Sequence, residues 1–144
     1  MLRTLLLLPA LTLTGVATRV DVPPVAPVRV VAAFRLPVSA FAPGHRGVDL
    51  AASPGQTVVS PITGVVTFAD AVGGRPVVSV SDGFRLVSLE PVTSGLPAGS
   101  TVRAGAPLGT VGVGGHCSLR CVHLGMRVDG EYVAPLGLRP RLVP

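Results

Sequence analysis

His45 and Asp49 stand four positions apart in the segment APGHRGVDLAASPG, and His123 follows Cys121 by two in SLRCVHLGM. Gly44 and Gly47, with Pro43 before them, argue against a helix, so the first pair lies on a loop running into a strand that starts at Val48. One imidazole and one carboxylate converging there suit Zn²⁺, which takes histidine nitrogen at about 2.0–2.1 Å and carboxylate oxygen at about 2.0–2.2 Å. Two ligands do not complete a site, and His123 is the natural third. On a strand, Cys121 and His123 share a face, their Cα atoms roughly 7 Å apart, while Val122 and Leu124 turn into packing. Taken singly, each residue has a plainer explanation. A histidine on a strand more often packs than ligates, and Asp49 can accept backbone hydrogen bonds in a turn.

The two cysteines, Cys117 and Cys121, bracket a short loop beside the third histidine, His116. In an oxidising compartment they read as a small disulfide loop; in a reducing one, as metal ligands or free thiols. The N-terminus bears on that choice. In MLRTLLLLPALTLTGVATRV a single arginine precedes an apolar run from Leu5 to about Val16, which ends in small residues. That order is the order of a secretory signal, and the run is too short for a comfortable membrane span. Residues 1–17 are therefore expected to be a cleaved leader, leaving an exported protein, secreted or in the cell envelope, with no membrane span. Export favours the bridge.

The elements that must position these residues are short. After the leader, residues 18–27 are proline-rich and read as an extended linker. From Val28, Val- and Leu-rich runs alternate with Gly and Pro: 28–34, 48–52, 57–60, 64–70, 76–81, 84–90, 108–113, 121–128 and 131–133. Gly73–Gly74, Asp82–Gly83 and Asp129–Gly130 are hairpin-type turns. No helical period of ten or more residues appears outside the leader. The expectation is an all-β domain, an antiparallel sandwich or barrel, over residues 28–139, with a tail at 140–144.

Composition narrows the function. The net charge is +5 and the pI about 11.0, and every cation is an arginine. The arginines form no stripe in the sequence, and aromatics at 3% leave few platforms for bases, which argues against nucleic acid. An exported basic protein associates more readily with anionic envelope polymers. A monomer is the default expectation.

Three ordered segments resemble one known family. GHRGVDLAASPGQTVVSPITGVVTFA resembles the H-x-x-x-D signature of the M23 (LytM/lysostaphin-like) peptidases and the V-x-A/S-P-x-x-G-x-V pattern after it. GSTVRAGAPLGTVG is similar to that family's G-x-x-V-x-x-G-x-x-I-G-x-x-G segment, and CVHLGMRVDGEYVAPL to the stretch that usually begins H-L-H. The likeness spans about residues 28 to 138. It implies a compact β-sheet domain of the LytM type (the duplicated hybrid motif) with zinc in a groove. The metal ligands would fall on His45, Asp49 and His123, and the activity would be hydrolysis of peptide bonds in bacterial peptidoglycan.

The departures are specific. The family's first histidine of H-L-H, which handles protons or stabilises the transition state, is Cys121 here. A second catalytic histidine falls at Pro91 in SLEPV. If Cys121 pairs with Cys117, the bridge pins His116 beside the zinc, where it becomes a substitute general base. If Cys121 is reduced, its thiolate becomes a fourth ligand and closes the site. Two functions follow: a zinc endopeptidase cutting stem or cross-bridge peptides, or a catalytically degenerate module that binds cell wall or regulates another hydrolase. The small barrels of biotinyl and lipoyl carriers also resemble GVVTF…GSTVRAGAPLGTV, but they need a lysine and this chain has none.

Overall fold

A computed structural model describes residues 18–39 and 41–137. The expected leader, the C-terminal tail and the last two residues of the expected domain lie outside the described residues.

Eleven strands and no helix make up the described residues. They are β1 (Val30–Ala32), β2 (Gly47–Ala51), β3 (Thr57–Val59), β4 (Gly64–Val72), β5 (Arg75–Ser81) and β6 (Arg85–Glu90), then β7 (Val92–Thr93), β8 (Thr101–Val102), β9 (Pro107–Val111), β10 (Cys121–Val128) and β11 (Glu131–Tyr132). The large sheet runs β1-β2-β10-β6-β5-β4-β8, with β11 pairing β10, and a second sheet runs β3-β9-β7. All pairings are antiparallel. The chain is the all-β fold expected from the alternating runs. Strands β7 and β8 were not expected, because two residues are too few for alternation to show.

Alternation sorts each strand between core and site. In β6, Val87 and Leu89 are buried while Leu86, Ser88 and Glu90 turn to the other face. Val78 and Val80 of β5, and Leu124 and Met126 of β10, join Val58, Leu108 and Val92 of the small sheet in one core built without tryptophan. The opposite face of the large sheet is left for chemistry.

Residues 18–27 differ from the expected linker. They form no strand, as their prolines require, but they lie on the domain rather than hang from it. Val20 and Val25 join the core, at 7% and 2% exposure. Backbone hydrogen bonds tie Val20 to Pro135, Asp21 and Val22 to Pro61, and Pro24 to Val59. Arg85, itself buried, donates to both carboxylate oxygens of Asp21 at 2.7 and 3.1 Å and to the Arg19 carbonyl. The packed body thus begins by Val20, not Val28.

Candidate metal centre

Strand β10 is central, paired with β2 on one side and β6 on the other, and it places His123 directly opposite both Asp49 and Glu90. Residues opposite each other in an antiparallel pair share a face. Asp49, His123 and Glu90 therefore form one row across three strands. His45 reaches the row from just before β2. Its own backbone is fixed by a two-way bridge with Arg35, with N···O distances of 2.8 and 2.9 Å.

The donor atoms converge. His45 Nε2 lies 3.0 Å from Asp49 Oδ1 and 3.2 Å from His123 Nδ1, and His123 Nδ1 lies 2.7 Å from the same Asp49 oxygen. His116 Nε2 stands 3.0 and 2.9 Å from the two Asp49 oxygens. One ligand atom from each of His45, Asp49, His116 and His123 can be chosen so that all lie within 4.8 Å of one another.

The chemistry of this donor set fits a divalent cation. His45 Nδ1 lies 2.8 Å from the Ala33 carbonyl oxygen, which can only accept, so that nitrogen carries the proton. In the neutral ring, Nε2 is then a lone pair aimed at a carboxylate oxygen and at another imidazole nitrogen. Acceptors facing one another repel unless a proton or a cation sits among them, and a cation can serve all of these donor atoms at once. Fixing a ligand histidine through its other nitrogen is also the common arrangement in metal sites. Neighbouring ligands of a tetrahedral zinc sit about 3.3 Å apart, given bonds near 2 Å; the His45–His123 separation of 3.2 Å matches that, while Asp49 Oδ1 stands nearer, at 3.0 Å from His45 and 2.7 Å from His123.

Asp49 is the pivot. Burial pushes its carboxyl up, but hydrogen bonds to His123 and His116 and attraction to His45 and His116 outweigh it and bring the pKa down to about 2. At neutral pH it is an anion at the centre of the cluster.

His116 differs from the other three. Its side chain is 51% exposed, against 15% for His45, 16% for His123 and 7% for Asp49. It sits on a loop that crosses the end of the β4–β5 hairpin. A Cβ at Gly114 would lie 2.6 Å from the Gly74 carbonyl oxygen, and one at Gly115 would lie 2.7 Å from Arg75 Cδ. The GVGG run before His116 is thus a close approach that side chains would block. On the other side the loop is pinned by a disulfide between Cys117 and Cys121. Both sulfurs are taken up in that bridge, so neither is a thiolate ligand, although Cys117 Sγ is 3.8 Å from His116 Nε2.

Two grooves border the cluster. One, of about 710 Å³, is lined by Asp49 and His116 together with Arg29, Val31, Leu119 and Arg120. The other, of about 270 Å³, is lined by His123 and Glu90 together with Arg46, Arg75, Arg127 and Tyr132. Pro91, where a second histidine was sought, is buried and faces neither. Glu90 beside it, and the arginines, were not singled out from the sequence. The signal for Glu90 was present only as the alternation of β6; the arginines lie on other segments and had none.

Residues 43–135 match the profile of Peptidase family M23. The uncharacterized protein Rv2891 of Mycobacterium tuberculosis is 41% identical over 103 residues, covering 67% of this chain and 41% of that protein. Rv3786c of the same organism is 33% identical over 105 residues, covering 67% and 26%. The chain thus spans less than half the length of these relatives. Among solved structures, Helicobacter pylori Csd3 in its orthorhombic crystal superposes with a TM-score of 0.67 at 28% identity, over 80% of this chain and 33% of that one. A mutant catalytic domain of the prophage-encoded M23 protein EnpA from Enterococcus faecalis gives 0.65 at 21% identity, over 78% and 94%, a likeness of fold.

Proposed function

The chain belongs to Peptidase family M23, and on that premise we propose that it is an exported zinc metalloendopeptidase acting on the stem or cross-bridge peptides of bacterial peptidoglycan. The observation that carries the reading is the convergence of His45 Nε2, Asp49 Oδ1 and His123 Nδ1, with the His45 proton tied up on the Ala33 carbonyl. These three residues would hold the metal. When bound, zinc supplies a Lewis acid that polarises a carbonyl and acidifies water.

The chain's own groups do the rest. Asp49 brings the negative charge that makes the site selective for a cation and keeps His116 turned toward it. His116, half exposed at the mouth of the larger groove and 2.9 Å from Asp49 Oδ2, can receive a proton from water and return one to a departing amine. It would stand in for the histidines replaced by Cys121 and Pro91. The disulfide and the glycine loop hold it there. The grooves on either side of the cluster offer room for a peptide running across the sheet.

A second reading has its own observation. If His116 Nε2 joins the other donors as a fourth protein ligand, the shell closes as in structural zinc sites, and the domain binds or regulates without cutting. Replacing His116 separates the two. The endopeptidase reading expects His116→Ala to keep stoichiometric zinc and to lose about 10²–10⁴-fold in turnover of wall peptides. Wild-type turnover should vanish with chelator and return with zinc. Loss of zinc from His116→Ala together with an inactive wild type would establish the closed, non-catalytic site.

A further inference from the structure

The smaller groove has a charge pattern that metal binding does not call for. Arg46, Arg75 and Arg127 come from three distant parts of the sequence and meet beside His123, with Glu90 the only acidic group among the lining residues. Guanidinium groups stay charged at all accessible pH values, so one carboxylate leaves the groove with a cationic excess.

Two of the arginines are held in fixed orientation without being used up. Arg75 donates from Nε to Glu90 at 2.8 Å and from one terminal nitrogen to the Val72 carbonyl at 2.9 Å. Its other terminal nitrogen keeps its donors. The Arg127 guanidinium lies over the Tyr132 ring, 4.4 Å from the centroid, and one of its nitrogens donates to the Tyr132 hydroxyl. Arg46 lies 5.8 Å from the same ring. A planar fork already oriented loses little entropy when it takes a carboxylate. No side chain rises from the floor at the next position along the face from His123, because β10 carries Gly125 there.

We infer that this groove is a carboxylate-recognition subsite, which takes an acidic peptide whose free carboxylate lies on the Glu90 side of the bond at the metal centre. The inference deepens the peptidase reading and rests on it for the placement of that bond. The carboxylate could belong to a peptide C-terminus or to a side chain, and the chemistry of recognition is shared.

The test uses the oxidised full-length protein and one synthetic wall stem peptide in three forms: all carboxylates free, C-terminus amidated, and side-chain carboxylates amidated. Binding is measured calorimetrically, with turnover recorded in parallel. The free acid should bind about tenfold more tightly than at least one amidated form, as expected for loss of a hydrogen bond to a charged group. The form that loses affinity identifies the source of the carboxylate. Arg127→Gln should collapse that ratio, whereas Arg103→Gln, at an exposed position outside both grooves, should preserve it. Equal binding of all three forms would overturn the subsite, as would a ratio that survives Arg127→Gln. Absence of turnover with the binding ratio intact would count against the peptidase reading alone.

Discussion

Among the residues around the donors, Gly47 leaves the least room for change. A Cβ there would lie 2.4 Å from the Leu124 carbonyl oxygen and 2.6 Å from Cε1 and Nε2 of His123. The carbonyl belongs to a strand paired on both sides, so relieving that contact must push β2 and β10 apart, and the imidazole must move as well. Rotating that ring takes Nδ1 off its line to Asp49. Gly47→Ala is expected to weaken zinc binding by about ten- to a hundredfold and to destabilise the fold by about 1–3 kcal/mol. Competition against a chelating dye and urea unfolding measure the two effects, and an alanine variant with wild-type zinc affinity would contradict the packing described. That His45, Asp49 and His123 come together was legible in the sequence, from their types and spacing taken with the family resemblance. The Ala33 carbonyl that sets the His45 proton was not. A backbone acceptor twelve residues away has no signature in residue type.

At the scale of elements, two short connections set the stability of the framework. In the β5–β6 turn, Asp82 Oδ1 accepts from the backbone of Phe84 at 2.9 Å and of Arg85 at 2.7 Å, and Oδ2 accepts from Arg85 Nε at 2.7 Å. Burial pushes the Asp82 carboxyl up, but these bonds and the Arg85 charge prevail and hold it below its usual 3.8. A carboxyl lowered on folding adds stability that is fully present above about pH 4 and is lost as pH falls through the lowered native value. Asp82→Asn keeps the turn's acceptor oxygen and removes the charge. It should flatten the acid limb of the stability profile below about pH 4, with an effect near neutrality of about 1 kcal/mol or less. Denaturant melts from pH 2 to pH 7 would reveal this, and an unchanged acid limb would count against it.

The other connection is the Cys117–Cys121 loop. Closing so short a loop stabilises by roughly 2 kcal/mol through the unfolded chain, and here it also holds His116 against Asp49. Replacing both cysteines with serine should retain zinc, since neither sulfur is needed as a ligand, while lowering stability by about that amount and turnover further. Zinc lost with the cysteines would contradict the assignment of ligands. The pairing itself was readable from spacing and expected export. The packing of residues 18–27 was not, because a proline-rich composition looks the same whether the chain hangs free or lies along a surface. What decides it is Val20, Val25 and the Asp21–Arg85 pair, all long-range.

For the whole molecule, one sheet does two jobs: its inner face closes a Val- and Leu-rich core against β3, β9 and β7, and its outer face carries the donor row between two arginine-bearing grooves. The all-β class followed from short alternating runs and turn dipeptides. The strand order did not, because register across β2, β10 and β6 depends on contacts between segments up to about eighty residues apart. That register brings scattered arginines into one groove, which a linear reading saw only as the absence of a stripe. The chemistry proposed for the outer face depends on the metal. The measurement to make is zinc content with zinc-edge absorption spectroscopy on the oxidised protein. The prediction is about one zinc per chain bound by nitrogen and oxygen without sulfur. A sulfur-containing shell, or no zinc at all, would contradict it.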